Sequence, residues 1–295
     1  MNKCIIFGGS SYIGKHFVKF LEIKKIDYTI YNNNYEENSI KCDLVNDIDI
    51  LKSIDWNVDA VFIFSGKTGT SKSFEDAKQY IEINEIGLLN ILNSIVNTQY
   101  RPKIMFPSSR LVYQGKNIPI KENDSLEFKT IYALSKINAE NILQLYSKTF
   151  HLPFTIFRIC VPYGNEIDSS YSYGTIGFFI NQGLHDKKIT LYNYGELKRT
   201  FTHINDLVNQ IYHLSIIQKT DNEIFNIKGE TFSLKEIATM IASRLSINII
   251  YKEWPNFDKI IESGDTIFDN DKIDKTISNN KINYSFKDWI KNLQF

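Results

Sequence analysis

Tyr132 and Lys136 stand at i and i+4 in Tyr132-Ala133-Leu134-Ser135-Lys136, so on a helix their side chains share one face. A phenol whose pKa is about 10 is a poor proton carrier at neutral pH. A neighbouring ammonium favours the phenolate and draws the phenol toward the working range, where it can serve as general acid or base. Tyrosine and lysine are both common in this chain, and the pair alone also fits a solvated helix face. Met105-Phe106-Pro107-Ser108-Ser109 adds weight, because it closes an apolar run that reads as a strand. Ligands of open α/β sheets sit beyond the carboxyl ends of the strands. Ser109 is therefore placed to hydrogen-bond the same substrate oxygen that Tyr132 protonates or deprotonates.

A second chemical signal opens the chain: Phe7-Gly8-Gly9-Ser10-Ser11-Tyr12-Ile13-Gly14-Lys15. It follows the first apolar run and begins the first amphipathic one. Small residues there permit a tight turn, let backbone approach a pyrophosphate, and let helix pack close to strand, while free helix N–H groups face the anion. Gly8 and Gly14 fill the outer places; Ser11 stands where a middle glycine is commonest and is expected to add a hydroxyl donor near the phosphates. The turn thus reads as the pyrophosphate site of a nicotinamide dinucleotide, whose oxidised ring would add positive charge beside Tyr132. The acidic residue expected roughly 20 positions further on is absent. Asn32 stands where that carboxylate would take the ribose hydroxyls. Its neutrality removes a reason to reject a 2′-phosphate, and Lys15 and Lys41 are the nearby cations that could welcome one. NAD and NADP both remain open, with these residues tilting the balance to NADP.

These groups need a scaffold, and the apolar pattern supplies one. Strands are expected over 4–7, 28–31, 60–64, 103–106 and 154–159, and helices over 14–23, 48–54, 76–96 and 131–150. Strands apolar on both faces and separated by helices predict an α/β fold with a parallel sheet covered on both sides, a Rossmann-type doubly wound arrangement. After Pro162 the elements shorten among loops carrying Gly164, Gly174, Gly177, Gly183 and Gly195. The expected organisation is a dinucleotide-binding domain over 1–163 with a returning segment near 199–228. A smaller, interleaved C-terminal substrate lobe fills most of 164–295. The Asn32-Asn33-Asn34 patch reads as compositional drift.

The chain has 295 residues, 43% hydrophobic, with 34 Lys+Arg against 34 Asp+Glu. That length can bury a sizeable core. Zero formal charge argues against sequence-independent nucleic-acid binding, which rests on phosphate neutralisation, and against polybasic membrane attachment. No apolar run is long enough to span a bilayer or to form a signal-peptide core. Cys4, Cys42 and Cys160 are scattered, with no metal-ligand spacing, as fits a reducing compartment. No metal is expected, and the localisation expected is cytoplasmic. Cys160 and Phe178-Phe179-Ile180 read as core, Lys187-Lys188 as a solvated turn, and His203 as a structural residue.

In these motifs, the sequence resembles the extended short-chain dehydrogenase/reductases of the NAD(P)-dependent nucleotide-sugar epimerase/dehydratase family. The likeness covers nearly the whole chain. It comprises the Gly8/Ser11/Gly14 turn, Cys42-Asp43-Leu44, Phe62-Ile63-Phe64-Ser65-Gly66, Asn84 with Gly87, Ser108-Ser109-Arg110-Leu111-Val112-Tyr113, and Tyr132 with Lys136. Arg158 to Gly164, Arg199-Thr200-Phe201-Thr202-His203-Ile204-Asn205-Asp206 and Phe225-Asn226-Ile227 continue it. The resemblance implies Ser109, Tyr132 and Lys136 as catalytic. It implies that Gly8, Ser10, Ser11, Tyr12, Ile13, Gly14, Asn32, Asp43, Leu44, Phe64, Ser65, Gly66 and Asn84, with Tyr132 and Lys136, hold the cofactor. Asp43 would meet the adenine. Lys67, Ser108, Ser109, Arg110, Tyr132, Val161 and Arg199 would line the substrate site, with Arg199 at the sugar-nucleotide phosphates. A homodimer through a helix-pair seam over 76–96 and 131–150 is the expected assembly.

Departures from the family pattern sort the reaction. Family 4,6-dehydratases carry Asp-Glu after the catalytic hydroxyl residue, and here Arg110 and Leu111 can serve as neither acid nor base. Epimerase-reductases of the fucose type need a cysteine and a histidine, and neither Ser109 nor Gly164-Asn165-Glu166 has one in place. Hydride and proton traffic at C4 of a nucleotide sugar remains. Val161 replaces a sugar-binding asparagine, and Glu262 in Glu262-Ser263-Gly264-Asp265 replaces a phosphate-gripping arginine. With Asn32, these changes favour reduction of a 4-keto(-6-deoxy) sugar nucleotide over a 4-epimerase with tightly held NAD. A non-catalytic dinucleotide sensor is the remote alternative, disfavoured by the intact Ser-Tyr-Lys set. The Asn- and Lys-rich composition resembles that of AT-rich surface-polysaccharide gene clusters, which suggests a role in O-antigen or capsule sugars.

Overall fold

The computed structural model describes residues 1–168 and 170–294. The chain divides into two compact units. One comprises 1–112, 128–158 and 211–225, the other 113–127, 159–210 and 226–295. Compared with a division at 163 and a return near 199–228, residues 113–127 belong to the second unit and the return narrows to 211–225.

The first unit is built on a seven-stranded sheet of β1 (Lys3–Phe7), β2 (Asp27–Asn32), β3 (Ile40–Lys41), β4 (Ala60–Ile63), β5 (Lys103–Ser109), β6 (Phe154–Ile159) and β7 (Glu223–Asn226). Their spatial order is β7-β6-β5-β4-β1-β2-β3. β1 pairs in parallel with both β2 and β4, in registers that set Phe7 opposite Tyr31 and Ile63. The order therefore reverses at β1, the topological switch point beyond which ligands of doubly wound sheets lie. β4 and β1 are buried along almost their whole length, as parallel strands covered on both faces must be. Phe7, Trp56, Val61, Ile91, Leu92, Ile95, Ile104 and Ile156 anchor one continuous core, each apolar side chain contributing about 1.5–3 kcal/mol on burial. The two-residue edge strand β3 is too short to leave an apolar pattern in the sequence.

Two helices match expectation closely: Tyr12–Lys24 and Ile131–Phe150. Thr130 caps the second, its hydroxyl accepting the Ala133 N–H at 3.1 Å, and His151 ends it in the left-handed conformation. The single helix expected over 76–96 is instead three pieces: Ala77–Ile81, a π-helical turn Glu82–Ile86, and Gly87–Val96. Wider π turns add a residue per turn and re-aim one side chain, often at functional sites. Here that residue is Asn84.

The second unit carries a mixed sheet in which Glu230–Ser233, Lys198–His203, Thr266–Phe268 and Lys116–Ile120 are successive neighbours and Val161–Tyr163 pairs with Lys198–His203. A separate parallel pair joins Lys188–Tyr192 to Asn248–Lys252. Phe179 and Ile180 are buried, whereas Phe178 points outward, so only two of the three residues expected in the core lie there. Among the described residues, no helix is long and apolar enough to cross a membrane.

Candidate active site

The turn after β1 is shaped by two glycines. Gly8 has φ +82°, and a Cβ there would stand 2.5 Å from the Ser65 backbone nitrogen. At Gly14 a Cβ would lie 2.1 Å from the Gly8 carbonyl oxygen, so the helix can close on the turn only without a side chain. Ser11 is the helix N-cap: its hydroxyl accepts the Gly14 N–H at 3.1 Å and donates to the Gly8 carbonyl at 2.7 Å. A hydroxyl has one proton. Ser11 therefore stitches the turn together, its proton taken by the Gly8 carbonyl; the first backbone N–H groups of the helix are the further donors at this end.

Beyond the carboxyl ends of β1 to β4 lies a cavity of about 340 Å³ lined by Gly8, Ser10, Ser11, Asn32, Asn33, Asn34, Cys42, Asp43, Leu44, Val45, Phe64, Ser65, Gly66, Lys67 and Ile83. Nine residues expected around a dinucleotide converge here: Gly8, Ser10, Ser11, Asn32, Asp43, Leu44, Phe64, Ser65 and Gly66. Asn33 and Asn34 join them, so the asparagine patch forms part of the cavity wall. The only sequence signal for this was its position directly after a strand end. Tyr12, Ile13 and Gly14 form the helix start outside the wall. Asn32 is buried, and its Oδ1 accepts the Ser10 N–H at 3.3 Å. Asp43 lies on the same wall; the Asn46 amide at 2.8 Å, then backbone N–H groups, hold its carboxyl below the usual carboxylate range against the opposing effect of burial. Apolar Leu44, Val45, Phe64 and Ile83 with polar backbone at Gly8 and Ser10 make a slot whose donor set and flat walls fit the adenosine-diphosphate half of a dinucleotide. A smaller cavity of about 260 Å³ continues past Asn32, walled by Gly9, Ser10, Lys15, Val18, Ile30, Glu36, Glu37 and Ser39.

Asn84, re-aimed by the π turn, ties this wall to the next group. Its Oδ1 accepts the Lys67 N–H at 2.7 Å, and its Nδ2 donates to the Lys67 carbonyl and to Ser135 Oγ, both at 3.0 Å. A Cβ on Gly66 would sit 3.2 Å from Asn84 Oδ1 and 3.8 Å from Lys136 Nζ. Gly66 thus lies between the cavity and the Tyr-Lys helix. The Lys67 ammonium is paired with Asp76 at 2.9 Å.

Lys136 is buried; its Nζ donates to the Pro107 carbonyl at 2.8 Å and lies 4.5 Å over the Phe106 ring. It stands 5.9 Å from the centre of the Tyr132 ring, one turn away. Burial pulls its pKa down to about 8, opposed by the Glu140 charge a further turn along. Arg158 holds Glu140 through Nε at 3.0 Å and a second nitrogen at 2.6 Å, both side chains buried, which fixes the charges under the lysine. Tyr132 is 9% exposed, with Tyr80 edge-on at 6.3 Å. At the end of β5, Ser109 Oγ accepts the Leu111 N–H at 3.2 Å, leaving its proton for another acceptor, and the buried Ser108 Oγ has no hydrogen-bond partner among the described residues. Arg110 is buried in the short turn Arg110–Val112.

A family model described as the NAD dependent epimerase/dehydratase family matches residues 4–227. The chain belongs to this family. Relatives include a UDP-N-acetyl-alpha-D-glucosaminuronate decarboxylase of Bacillus cytotoxicus, 28% identical over 80% of this chain and 78% of that one. A UDP-glucose 4-epimerase of Mycoplasma genitalium is also 28% identical, over 78% of this chain and 75% of the other. The solved UDP-glucose 4-epimerase of Thermus thermophilus, in complex with NAD, superposes with a TM-score of 0.83 at 20% identity, covering 98% and 96% of the two chains. As a member of the epimerase/dehydratase family this protein is an NAD(P)-dependent enzyme of nucleotide-sugar chemistry on a Rossmann fold.

In the second unit of this family member, Arg199 is buried on strand Lys198–His203 and pairs with Glu262 at 2.8 Å. Val161 is buried opposite Phe201 in the same sheet. His203 stacks on Tyr284 at 4.5 Å, and the Cys160 thiol donates to the Thr266 carbonyl at 3.3 Å.

Proposed function

We propose that this enzyme reduces a 4-keto(-6-deoxy) sugar nucleotide at C4, with Tyr132 as proton donor. A reduced nicotinamide, once bound, supplies the hydride. Tyr132 delivers the one proton the carbonyl oxygen takes up as it gains charge, and Ser109, whose lone pair already takes the Leu111 N–H, donates a hydrogen bond to the same oxygen and keeps its proton. Lys136, aimed by the Pro107 carbonyl, keeps a cation one turn from the phenol and stabilises the phenolate left behind. Arg110 and Leu111 supply no acid or base for dehydration.

Reduction is favoured over epimerisation by one observation, the Arg199–Glu262 pair. A 4-epimerase has to keep the diphosphate moored while the keto sugar turns over. An arginine already neutralised by a carboxylate is a poor mooring.

The cofactor we assign is NAD(H). The cavity past Asn32 sets Glu36 and Glu37 against Lys15 alone, a net negative edge where a 2′-phosphate would come. Each carboxylate costs such a phosphate on the order of 1 kcal/mol at the solvated surface. This reverses the tilt to NADP that the neutral Asn32 suggests.

Purified enzyme given a UDP- or dTDP-4-keto-6-deoxy-hexose should consume NADH stoichiometrically with ketone. Tightly bound NAD released on denaturation, together with interconversion of UDP-glucose and UDP-galactose, would establish the epimerase in its place.

A further inference from the structure

Glu262 sits in an unusual nest. One of its carboxylate oxygens accepts from Arg199 Nη2 at 2.8 Å. The other accepts the Gly264 N–H at 3.2 Å and lies 3.5 Å from the Ser263 hydroxyl. Gly264 turns its N–H inward from a left-handed conformation, φ +86°. Arg199 is 5% exposed, and its Nε–H is buried with no hydrogen-bond partner among the described residues. Donors from three residues thus converge on one carboxylate, and a further guanidinium donor is left over. Buried guanidinium donors are seldom left without an acceptor, because the desolvation they suffer goes uncompensated. Glu262 as seated leaves the Arg199 Nε–H unused; a phosphoryl group with three free oxygens has lone pairs enough to take it together with the other donors.

We propose that Glu262 is a tethered surrogate anion in a phosphoryl-binding seat formed by Arg199, Ser263 and Gly264, and that it competes with the substrate's phosphoryl group for Arg199. The inference rests on the reading of the substrate as a nucleotide sugar, and makes Glu262 a specificity-determining residue. While the carboxylate is seated, Arg199 is neutralised and a nucleoside diphosphate binds weakly. Displacing it exposes an uncompensated buried cation, which the incoming phosphoryl oxygens then satisfy. The consequence is fast release of the nucleotide-sugar product.

The test is equilibrium binding of UDP, pyrophosphate and uridine to the intact enzyme and to Glu262→Gln, which keeps the size, removes the charge and leaves one accepting oxygen in place of two. UDP and pyrophosphate should bind at least about tenfold more tightly to E262Q, uridine should be unchanged, and the gain should vanish in the R199Q/E262Q double variant. Equal or weaker UDP binding by E262Q overturns the proposal, as does a gain that survives loss of Arg199. Should E262Q unfold, Glu262→Asp draws the charge back by one methylene and should tighten UDP binding by a smaller factor; no tightening there is equally fatal. Tighter binding by E262Q without any ketone reduction would remove the proposed reaction and leave the seat standing. Reduction with unchanged binding would do the reverse.

Discussion

The turn after β1 and the Arg199–Glu262 pair, the two regions assigned here to anions, are built in opposite ways by this sequence. In the turn, backbone geometry dictates the residues: a Cβ at Gly8 or Gly14 would collide with main-chain atoms, so only glycine fits. At Arg199 the notable feature is charge, with Glu262 placed on the arginine. A position fixed by backbone contact admits few side chains, while one that acts through charge can be changed by a single substitution. The cofactor wall shows the same split, since Asn32 lacks the carboxylate expected there and Glu36 and Glu37 bring negative charge nearby.

Variants can break this contrast. The largest effect is expected from Tyr132→Phe, which should lower kcat by roughly 10²–10⁴-fold, the usual worth of positioned proton transfer, while NADH affinity measured by fluorescence titration stays the same. Gly14→Ala comes next: the 2.1 Å approach to the Gly8 carbonyl forces the helix off the turn, at about 1–3 kcal/mol in thermal or chemical unfolding and with weakened NADH binding. The pH profile follows. With its pKa lowered to about 8 by burial, Lys136 is cationic below that pH and neutral above it. The kcat/KM for reduction should therefore fall as pH rises through about 8, and Lys136→Arg, which stays charged, should flatten that limb even if its overall rate is lower. Smallest is the charge reversal Glu36→Lys with Glu37→Lys, which should improve NADPH binding relative to NADH by about tenfold or more in direct titration. A variant pair still preferring NADH to the same degree would return cofactor choice to Asn32.

Much of the first unit could be read from sequence because its signals are local. β1, β6 and the helices Tyr12–Lys24 and Ile131–Phe150 carry apolar runs, caps and spacings that belong to one element each. What escaped was set by contacts across elements. The π turn around Asn84 has no proline or glycine to announce it and exists to satisfy Lys67 and Ser135. Asn33, Asn34 and Ile83 reach the cavity only once β2 and the π turn are placed. At Ser11 the sequence shows a hydroxyl and not the carbonyl that takes its proton. Glu262 could be seen as a departure at its own position, but its pairing with Arg199, 63 residues away, is a tertiary fact.

The central claim is that hydride reaches C4 of a keto sugar nucleotide while Tyr132 protonates its oxygen. Incubation with NADH deuterated at the transferable position, followed by NMR of the product sugar, tests it most directly. The account predicts one deuterium on C4 in the wild-type product and negligible conversion by Tyr132→Phe. A product free of deuterium, or equal deuterium transfer by the phenylalanine variant, would contradict it.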